Sequence, residues 1–394
     1  MKKMTLTSLL FWIVVASTAQ TSKKAMNQLI NDNMVYAAKQ YKVLMQNTPP
    51  KLMPRSLDST GKLVTSNTKW WCSGFYPGTL WMIFDHTKDT VIKEEALKRL
   101  ALMEDIKFFT GNHDLGFMMY CSFGTAYSIT KNPVYKDVII TAANSLATRY
   151  RPTIASIQSW DSGKNFKCPV IIDNMMNLEL LEWAAKNGGD KKLHDIAVNH
   201  SNTTIKNHYR PDFSSYHVLD YDLKAGKVAR KITHQGYANE SAWSRGQAWG
   251  LYGFIVMYRE TRNKGYLDQA NKIASFILDH PNLPADKIPY WDFNAPGMPN
   301  VKRDASAGAI LASALLELAQ YSKGTTKNKY IAVAEKIITT LSSSTYRAQQ
   351  GTNGGFLLKH SVGHLPGNSE IDVPLTYADY YFVEALMRYK KWYL

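Results

Sequence analysis

The sequence predicts an all-α fold, an (α/α)6 barrel in which an outer ring of six helices wraps an inner ring of six. Two kinds of helical segment alternate along the chain: one is charged on one face, and the other is apolar on more than one side. There are six segments of each kind, and polar and aromatic residues gather just before those of the second kind. The loose repeat, about 45 to 75 residues, favours a closed toroid over a short-period solenoid.

The charged segments place apolar residues at i, i+3 and i+4 with Lys, Asp or Glu between them, which is typical of one-sided surface helices. These predicted outer helices are Met26–Met45, Val91–Phe109, Tyr135–Tyr150, Lys191–Tyr209, Tyr266–Asp279 and Lys329–Ser342. The segments of the second kind are rich in small residues, and we expect them to be buried. They are Gly78–Phe84, Phe117–Ile129, Asp173–Ala185, Ser241–Tyr258, Ser306–Tyr321 and Pro374–Tyr389.

Little else in the chain interrupts this pattern. Strand-like composition is limited to Lys227–Thr233 and Gly355–Lys359, while Pro49–Thr68 and Leu283–Asn300 have the composition of loops. With 394 residues, of which 45% are hydrophobic and 20% charged, the chain can bury a large core. We therefore predict a single (α/α)6-barrel domain over residues 20–394.

The formal net charge of +15 comes from scattered lysines and arginines, without a basic tail or a nucleic-acid-binding motif. We interpret it as a field that attracts a polyanionic substrate, and we expect no nucleic-acid partner. The sequence makes no prediction about the oligomeric state.

The first nineteen residues have the features of a secretory signal peptide. Lys2 and Lys3 precede the short apolar run Leu9–Ala16, and small residues follow up to Ala19. The run is too short to span a membrane. We expect residues 1–19 to be removed and the protein to be secreted, to the periplasm if the source is a Gram-negative bacterium.

The cysteines and the short motifs exclude several kinds of chemistry. Cys72, Cys121 and Cys168 are odd in number and lie in apolar surroundings, so we expect buried thiols and no disulfide framework. No zinc-binding spacing, phosphate-binding loop or dinucleotide fingerprint occurs, and we expect neither a metal nor an organic cofactor.

The densest polar and aromatic stretch is His234–Tyr252, HQGYANESAWSRGQAWGLY. If a helix begins at Ser241, then Ala242, Arg245 and Trp249 share one face. That face would offer an aromatic plane to a sugar ring and a guanidinium to a carboxylate. The alternative is an amphipathic helix with a buried tryptophan and a surface arginine. The density of polar groups before an apolar helix favours a site.

Two carboxyl groups, Asp114 in GNHDLGF and Asp173 in VIIDNMMN, each precede an apolar helix. Each alone is explained by helix N-capping. Asp173 follows three apolar residues, so we expect partial burial to raise its pKa and a neighbouring Asp114 charge to raise it further. As a pair at the mouth of the barrel, they suit proton transfer near neutral pH.

Five blocks together resemble glycoside hydrolase family 88, the unsaturated glucuronyl hydrolases: HDLGF, IIDNMMNLELLEWA, THQGY, SAWSRGQAWGLYGF and EIDVPLTYADYYFVEAL. The resemblance runs from about Trp70 to the C-terminus, and it implies the same (α/α)6 barrel. It also implies a hydrolase for oligosaccharides left by polysaccharide lyases, whose terminal uronic acid carries a C4=C5 double bond. Such enzymes hydrate the enol ether and do not displace at the anomeric carbon.

The resemblance also implies roles for individual residues. Asp173 would protonate C4 and then accept a proton from the water adding at C5, while Asp114 would bind ring hydroxyls and hold the protonation state of Asp173. Further residues match substrate-contacting positions: His113, Trp160, His217, Gln235, Arg245 and Trp249, with Lys231 and Thr233 beyond the scissile bond.

One region departs from the family members that prefer sulfated chondroitin, which place two serines and a lysine in a C-terminal loop. Ser361 matches the first serine, but His364 replaces the second and Pro366 replaces the lysine. A preference for 6-sulfated chondroitin is therefore in doubt, whereas heparin, heparan or unsulfated hyaluronan fragments stay open.

Two other functions stay open from the sequence. One is an unsaturated rhamnogalacturonyl hydrolase acting on pectin fragments. The RGQAW motif, which contains Gln247, argues against it. The other is a catalytically silent periplasmic sugar-binding protein, against which the presence of both Asp114 and Asp173 argues.

Overall fold

The computed structural model describes the backbone from residue 7 and the side chains from residue 23 to the C-terminus. The predicted signal peptide, residues 1–19, lies outside the described side chains. Within residues 7–394 the α-helices are, in chain order, α1 (Thr7–Asn47), α2 (Phe75–Thr87), α3 (Thr90–Met103), α4 (Thr125–Thr130), α5 (Pro133–Ala147), α6 (Leu178–Lys186), α7 (Lys192–His208), α8 (Ser244–Thr261), α9 (Lys264–Asp279), α10 (Ala305–Gln320), α11 (Gly324–Leu341) and α12 (Thr376–Tyr393).

The even-numbered helices form a closed inner ring, and the odd-numbered helices surround it. Helix α8 packs on α10, α10 on α12, and α12 on α2, while α2, α4, α6 and α8 complete the circle. The difference between the rings follows from composition. In α10 nearly every residue is buried because both sides meet protein, whereas α9 buries one stripe only. The predicted (α/α)6 barrel is confirmed.

Two inner helices begin with turns that are not α-helical. A π-helical turn, Gly116–Gly124, leads into α4, and a 3-10 turn, Ile172–Asn177, leads into α6. The two turns touch: Asn177 Oδ1 accepts a hydrogen bond from the Phe117 main-chain N–H at 2.9 Å. This contact brings the chain next to Asp114 close to the chain next to Asp173.

A Gly116→Ala substitution is expected to destabilise the protein by about 1–3 kcal/mol, because overpacking moves backbone. A Cβ at Gly116 would lie 2.4 Å from Asn177 Cα, on the backbone that joins the two turns. Thermal unfolding measures the effect. Gly163→Ala is the matched control, since a Cβ there meets nothing within 4 Å. Equal stability of the two variants would contradict the close approach.

Short antiparallel strands decorate the barrel. They pair as β1 (Met53–Leu57) with β2 (Leu63–Ser66), β3 (Tyr150–Arg151) with β4 (Ser156–Ile157), β5 (Pro169–Ile171) with β6 (Val218–Asp222) and β6 with β7 (Lys227–Ile232), and β8 (Ser361–His364) with β9 (Ser369–Val373). The strand predicted at Lys227–Thr233 is confirmed as β7.

Three sequence predictions about local structure are wrong. Residues 49–68, expected to be a loop, contain the β1–β2 hairpin. Gly355–Lys359 is not a strand, because the N–H groups of Leu357 and Leu358 donate to the Asp379 carboxylate. Helix α8 begins at Ser244, not at 241, since the Ala242 N–H donates to the Asn294 side chain outside the helix.

The three cysteines are free, and two of them, Cys72 and Cys168, are buried as expected. Cys121 is partly exposed. No helix among the described residues is long and apolar enough to cross a membrane.

Candidate active site

The loops that precede four inner helices meet in one cavity of about 120 Å³. The polar and aromatic residues that gather before these inner helices are thus brought together at one mouth of the barrel. The lining residues are Trp71, His113, Asp114, Trp160, Ile171, Asp173, Gln235 and Arg245. Six of them were predicted from the sequence. The cavity thus brings together residues that are spread along the chain from Trp71 to Arg245.

A larger cavity of about 540 Å³ lies at the opposite ends of the inner helices. None of the predicted site residues lines it. Its main charged groups are paired with one another: Glu384 accepts from the Tyr252 hydroxyl at 3.0 Å, and Arg388 donates to the same hydroxyl at 2.6 Å. The side chains that are suited to catalysis therefore lie in the smaller cavity.

Asp173 lies in the 3-10 turn before α6, with 11% of its side chain exposed. Its side chain caps no helix, and Oδ2 has no hydrogen-bond partner in the described protein. By contrast, Asp304 caps α10 through the Ser306 N–H, so capping explains Asp304 and not Asp173. Burial raises the pKa of Asp173 to about 7, against the opposing charge of Arg245. Such a carboxyl can both give and take a proton near neutral pH.

Asp114 precedes the π-helical turn, and its side chain also caps no helix. Burial and the charge of Asp173 raise its pKa well above the usual range. The expected coupling between the two carboxyls is present: repulsion from the Asp173 charge raises the pKa of Asp114, while burial is the main cause of the raised pKa of Asp173. The two carboxyls therefore hold at least one proton at neutral pH.

Arg245, in the first turn of α8, is only 1% exposed, which excludes the surface arginine of the alternative interpretation. One terminal nitrogen, Nη1, donates to Asp304 Oδ2 at 3.2 Å and to the Val362 carbonyl, and Nη2 donates to the Gly363 carbonyl at 2.7 Å. Nε has no protein acceptor among the described residues. The Nε–Nη2 edge of the guanidinium is therefore available for a ligand carboxylate in the cavity.

Gln235 is tied to the same carbonyl as Arg245. Its Nε2 donates to the Gly363 carbonyl at 2.9 Å. The hairpin β8–β9 thus positions two polar residues of the cavity wall through one peptide group.

Trp249 does not present the aromatic plane that the sequence predicted for sugar stacking. It is fully buried, with ring centroids 5.0 Å from Phe117 and 5.3 Å from Tyr381. The aromatic side chains that do line the cavity are Trp71 and Trp160. The Trp70–Trp71 pair is among the aromatic residues that gather before the inner helices, but Trp71 was not assigned a substrate contact, because an aromatic residue there equally suits the core.

The other predicted residues do not line the cavity. His217 is buried behind Asp173, with Nε2 3.8 Å from Asp173 Oδ2. Lys231 is exposed, with its ammonium over the Tyr216 ring, and the Thr233 hydroxyl accepts from the Gly236 N–H. Ser361 is fully buried in β8 and is not among the residues that line the cavity. Among residues with described side chains, no group of three His, Cys, Asp or Glu is placed to hold a metal.

Comparison with known proteins places the chain in a family. The model of Glycosyl Hydrolase Family 88 matches residues 44–393. The unsaturated glucuronyl hydrolase of Formosa agariphila is 48% identical over 338 residues, covering 85% of this chain and 84% of that protein. The unsaturated glucuronyl hydrolase of Bacillus sp. (strain GL1) is 32% identical and covers 86% and 91%.

Solved structures agree with this placement. A crystal structure of an unsaturated glucuronyl hydrolase specific for heparin is 45% identical, with a TM-score of 0.90, and covers 93% of this chain and 98% of that one. The enzyme from Bacillus sp. GL1 has a TM-score of 0.85 at 30% identity. The chain therefore belongs to glycoside hydrolase family 88, as its sequence motifs indicated, and it is a glycoside hydrolase built on an (α/α)6 barrel.

Proposed function

We propose that the protein releases the Δ4,5-unsaturated uronic acid from the non-reducing end of lyase-generated glycosaminoglycan oligosaccharides. One observation carries the proposal: Asp173, a buried carboxyl with a pKa of about 7, shares a small cavity with the free guanidinium edge of Arg245. That pairing suits an anionic sugar that must receive a proton. The unsaturated glucuronyl hydrolases related to this chain support it.

The proposed reaction is a hydration in which Asp173 acts twice. The protonated carboxyl donates its proton to C4, which leaves an oxocarbenium charge on C5 and the ring oxygen. Water adds at C5 and loses a proton to the Asp173 carboxylate, so the enzyme returns to its starting state. The resulting hemiketal opens and releases the neighbouring sugar. No proton is gained or lost by the enzyme over the cycle.

The remaining cavity residues bind and orient the sugar in this proposal. The Nε–Nη2 edge of Arg245 forms two parallel hydrogen bonds with the uronate carboxylate. The aromatic rings of Trp71 and Trp160 contact the faces of the unsaturated ring. The small volume of the cavity, about 120 Å³, supports action at a chain end over action within a polysaccharide.

Among glycosaminoglycans, we propose that the preferred substrates are heparin-type or unsulfated fragments and not 6-sulfated chondroitin. Ser361 is buried, and the His364 ring is engaged, since its Nε2 lies 2.8 Å from the His234 carbonyl. Neither side chain lines the cavity, and Pro366, at the position of the family's lysine, carries no charge for a sulfate. The heparin-specific relative, 45% identical, supports the same preference.

A panel of unsaturated heparin, hyaluronan, 6-sulfated chondroitin and pectin disaccharides tests the proposal. Loss of the ultraviolet absorbance of the conjugated double bond measures turnover. We expect turnover of heparin or hyaluronan disaccharides and little of the other two. Turnover of the pectin disaccharide alone would replace the proposal with rhamnogalacturonyl hydrolysis. Tight binding without turnover of any would indicate a sugar-binding protein.

The pH profile of kcat/KM is expected to fall above a pH of about 7. The reaction needs protonated Asp173, and the raised pKa of about 7 means that this proton is lost as the pH rises through that value. Initial rates at substrate concentrations far below KM, across a series of buffers, measure the profile. A descending limb near the ordinary carboxyl range, around 4, would contradict the assignment.

We further propose that residues 1–19 are a cleaved signal peptide, that residues 20–394 form the single catalytic domain and that the enzyme acts outside the cytoplasm. Basic residues, a short apolar run and small residues before Gln20 support this. N-terminal sequencing of the protein recovered from the periplasm or medium should begin at Gln20. Recovery of the uncleaved chain from the cytoplasm would contradict it.

A further inference from the structure

Each of the two cavity aspartates has a buried histidine beside it, and the two histidines are held differently. His113 Nε2 lies 3.4 Å from Asp114 Oδ1, and His217 Nε2 lies 3.8 Å from Asp173 Oδ2. In both pairs the other ring nitrogen, Nδ1, contacts protein. What Nδ1 contacts decides whether Nε2 carries a proton.

His113 Nδ1 carries the ring proton. Asn174 uses its Nδ2 to donate to the Ile157 carbonyl at 2.8 Å and to Ser159 Oγ at 3.0 Å, which fixes the orientation of its amide. Asn174 Oδ1 then faces His113 Nδ1 at 2.6 Å and can only accept. The Asn177 amide lies 3.5 Å from the same nitrogen and has another acceptor, the Asp173 carbonyl, at the same distance, so the 2.6 Å contact with Asn174 decides the tautomer. His113 Nε2 is therefore an unprotonated acceptor facing Asp114.

His217 has the opposite tautomer. Its Nδ1 accepts from the main-chain N–H groups of His234 at 3.2 Å and Gln235 at 3.1 Å, so Nδ1 cannot carry a proton. The neutral ring must then carry its proton on Nε2, which faces Asp173. Burial lowers the pKa of His217 well below its usual value, and burial lowers that of His113 to about 3, so both rings are neutral.

Resting on the proposed function, we infer that these opposite tautomers divide the roles of the two carboxyls. His113 accepts a hydrogen bond from Asp114, which stays a neutral carboxylic acid throughout turnover. His217 donates toward Asp173, whose ionised form is thereby stabilised, and Asp173 alone exchanges protons with the substrate. His113 and His217 are positioning residues, and the main-chain N–H groups of the HQGY turn set the tautomer of the second.

Trp249 provides a second neutral N–H group near Asp173. Its Nε1 is buried without a hydrogen-bond partner, as are His217 Nε2 and Asp173 Oδ2. The Trp249 side chain is close enough to lower the pKa of Asp173. Because both donors are neutral, they favour the carboxylate less than a cation would, which keeps Asp173 able to be an acid.

The neutral Asp114 has a chemical consequence. A second carboxylate beside Asp173 would oppose formation of the Asp173 anion when C4 receives its proton. A neutral Asp114, whose O–H is donated to His113, adds no negative charge. The charged and titratable groups that face the two aspartates are Arg245, Arg149, His113 and His217, with His234 and His364 behind His217.

The tautomers are measured directly by ¹⁵N NMR of histidine-labelled protein, without substrate and with no change to the site. Signals are assigned from His113→Gln and His217→Gln. We expect Nδ1–H for His113 and Nε2–H for His217. The same tautomer in both rings, or an imidazolium in either, would overturn the inference.

Infrared spectra of protein with ¹³C-labelled aspartate locate the proton on the carboxyls. Well above pH 7, a protonated-carboxyl band should persist, vanish in Asp114→Asn and remain in Asp173→Asn. The converse pattern would overturn the inference.

The same infrared bands follow the titration of Asp173, which should have its midpoint near pH 7. His217→Leu should raise that midpoint by up to about one unit, whereas His217→Gln, which keeps an amide N–H, should restore it. A merely structural His217 would leave the midpoint unmoved. Both measurements use the free enzyme, so they decide the inference even if no disaccharide in the panel is hydrolysed.

Discussion

Asp173→Asn is expected to lower kcat at least about 10³-fold while the protein stays folded. The amide keeps the shape of the side chain but can neither protonate C4 nor accept a proton from water. Substrate affinity should change little, because in the proposed function Arg245 and Gln235 hold the sugar independently of the proton on Asp173. Hydrolysis of an unsaturated disaccharide measures kcat, and equilibrium binding to the inactive variant measures affinity.

A matched control separates the loss of a proton-transfer group from the loss of a buried carboxyl. Glu182 is also fully buried with a raised pKa, but its partner is His194 on the outside of the barrel. Glu182→Gln should therefore keep kcat near that of the unmodified protein. An Asp173→Asn variant within tenfold of normal kcat would remove Asp173 from the chemistry.

The ring architecture was predictable because its cause is local. A helix that meets protein on all sides needs apolar or small residues all round, and a helix in the outer ring needs them on one stripe, so α10 and α9 differ in composition alone. The hairpins were not predictable in the same way. In β8–β9 the backbone of Asn368, Glu370 and Asp372 has positive φ, a conformation that is uncommon for these residues and that strand composition does not predict.

The site was predictable as far as chain direction determines it. Inner helices that point the same way place their preceding loops at one end, which joins Asp114, Asp173 and Gln235. The packing of Trp249 was not predictable, because a tryptophan that stacks on a sugar and one that packs in the core look alike in sequence. Contacts with Phe117 and Tyr381, distant in the chain, decide between them.

The difference between the two aspartates could not be predicted from the sequence at all. Both precede an apolar helix, and both are flanked in space by a histidine. What separates them is an amide orientation at Asn174 and two main-chain N–H groups at residues 234 and 235. Those contacts depend on tertiary structure, and no spacing in the chain encodes them.

Arg245→Met is expected to destabilise the protein by about 3–5 kcal/mol and to lower kcat/KM about 100-fold or more. Arg245 and Asp304 form an ion pair in which the side chains are 1% and 0% exposed. Removing the cation leaves the Asp304 carboxylate buried without its counter-charge, which causes the loss of stability. Removing the Nε–Nη2 edge takes away the group that is proposed to bind the uronate carboxylate, which causes the loss of activity. Urea unfolding measures the first effect and disaccharide hydrolysis the second.

Adding Asp304→Asn to Arg245→Met separates the two effects. The neutral amide can still accept from the Ser306 N–H that Asp304 caps, and it carries no uncompensated charge. The double variant should therefore be more stable than Arg245→Met, while its kcat/KM stays equally low because the guanidinium is still absent. If activity returned together with stability, Arg245 would be a structural residue and the uronate would bind elsewhere. If neither returned, the Val362 and Gly363 carbonyls that Arg245 holds would be the larger part of its contribution, and the β8–β9 hairpin would depend on it.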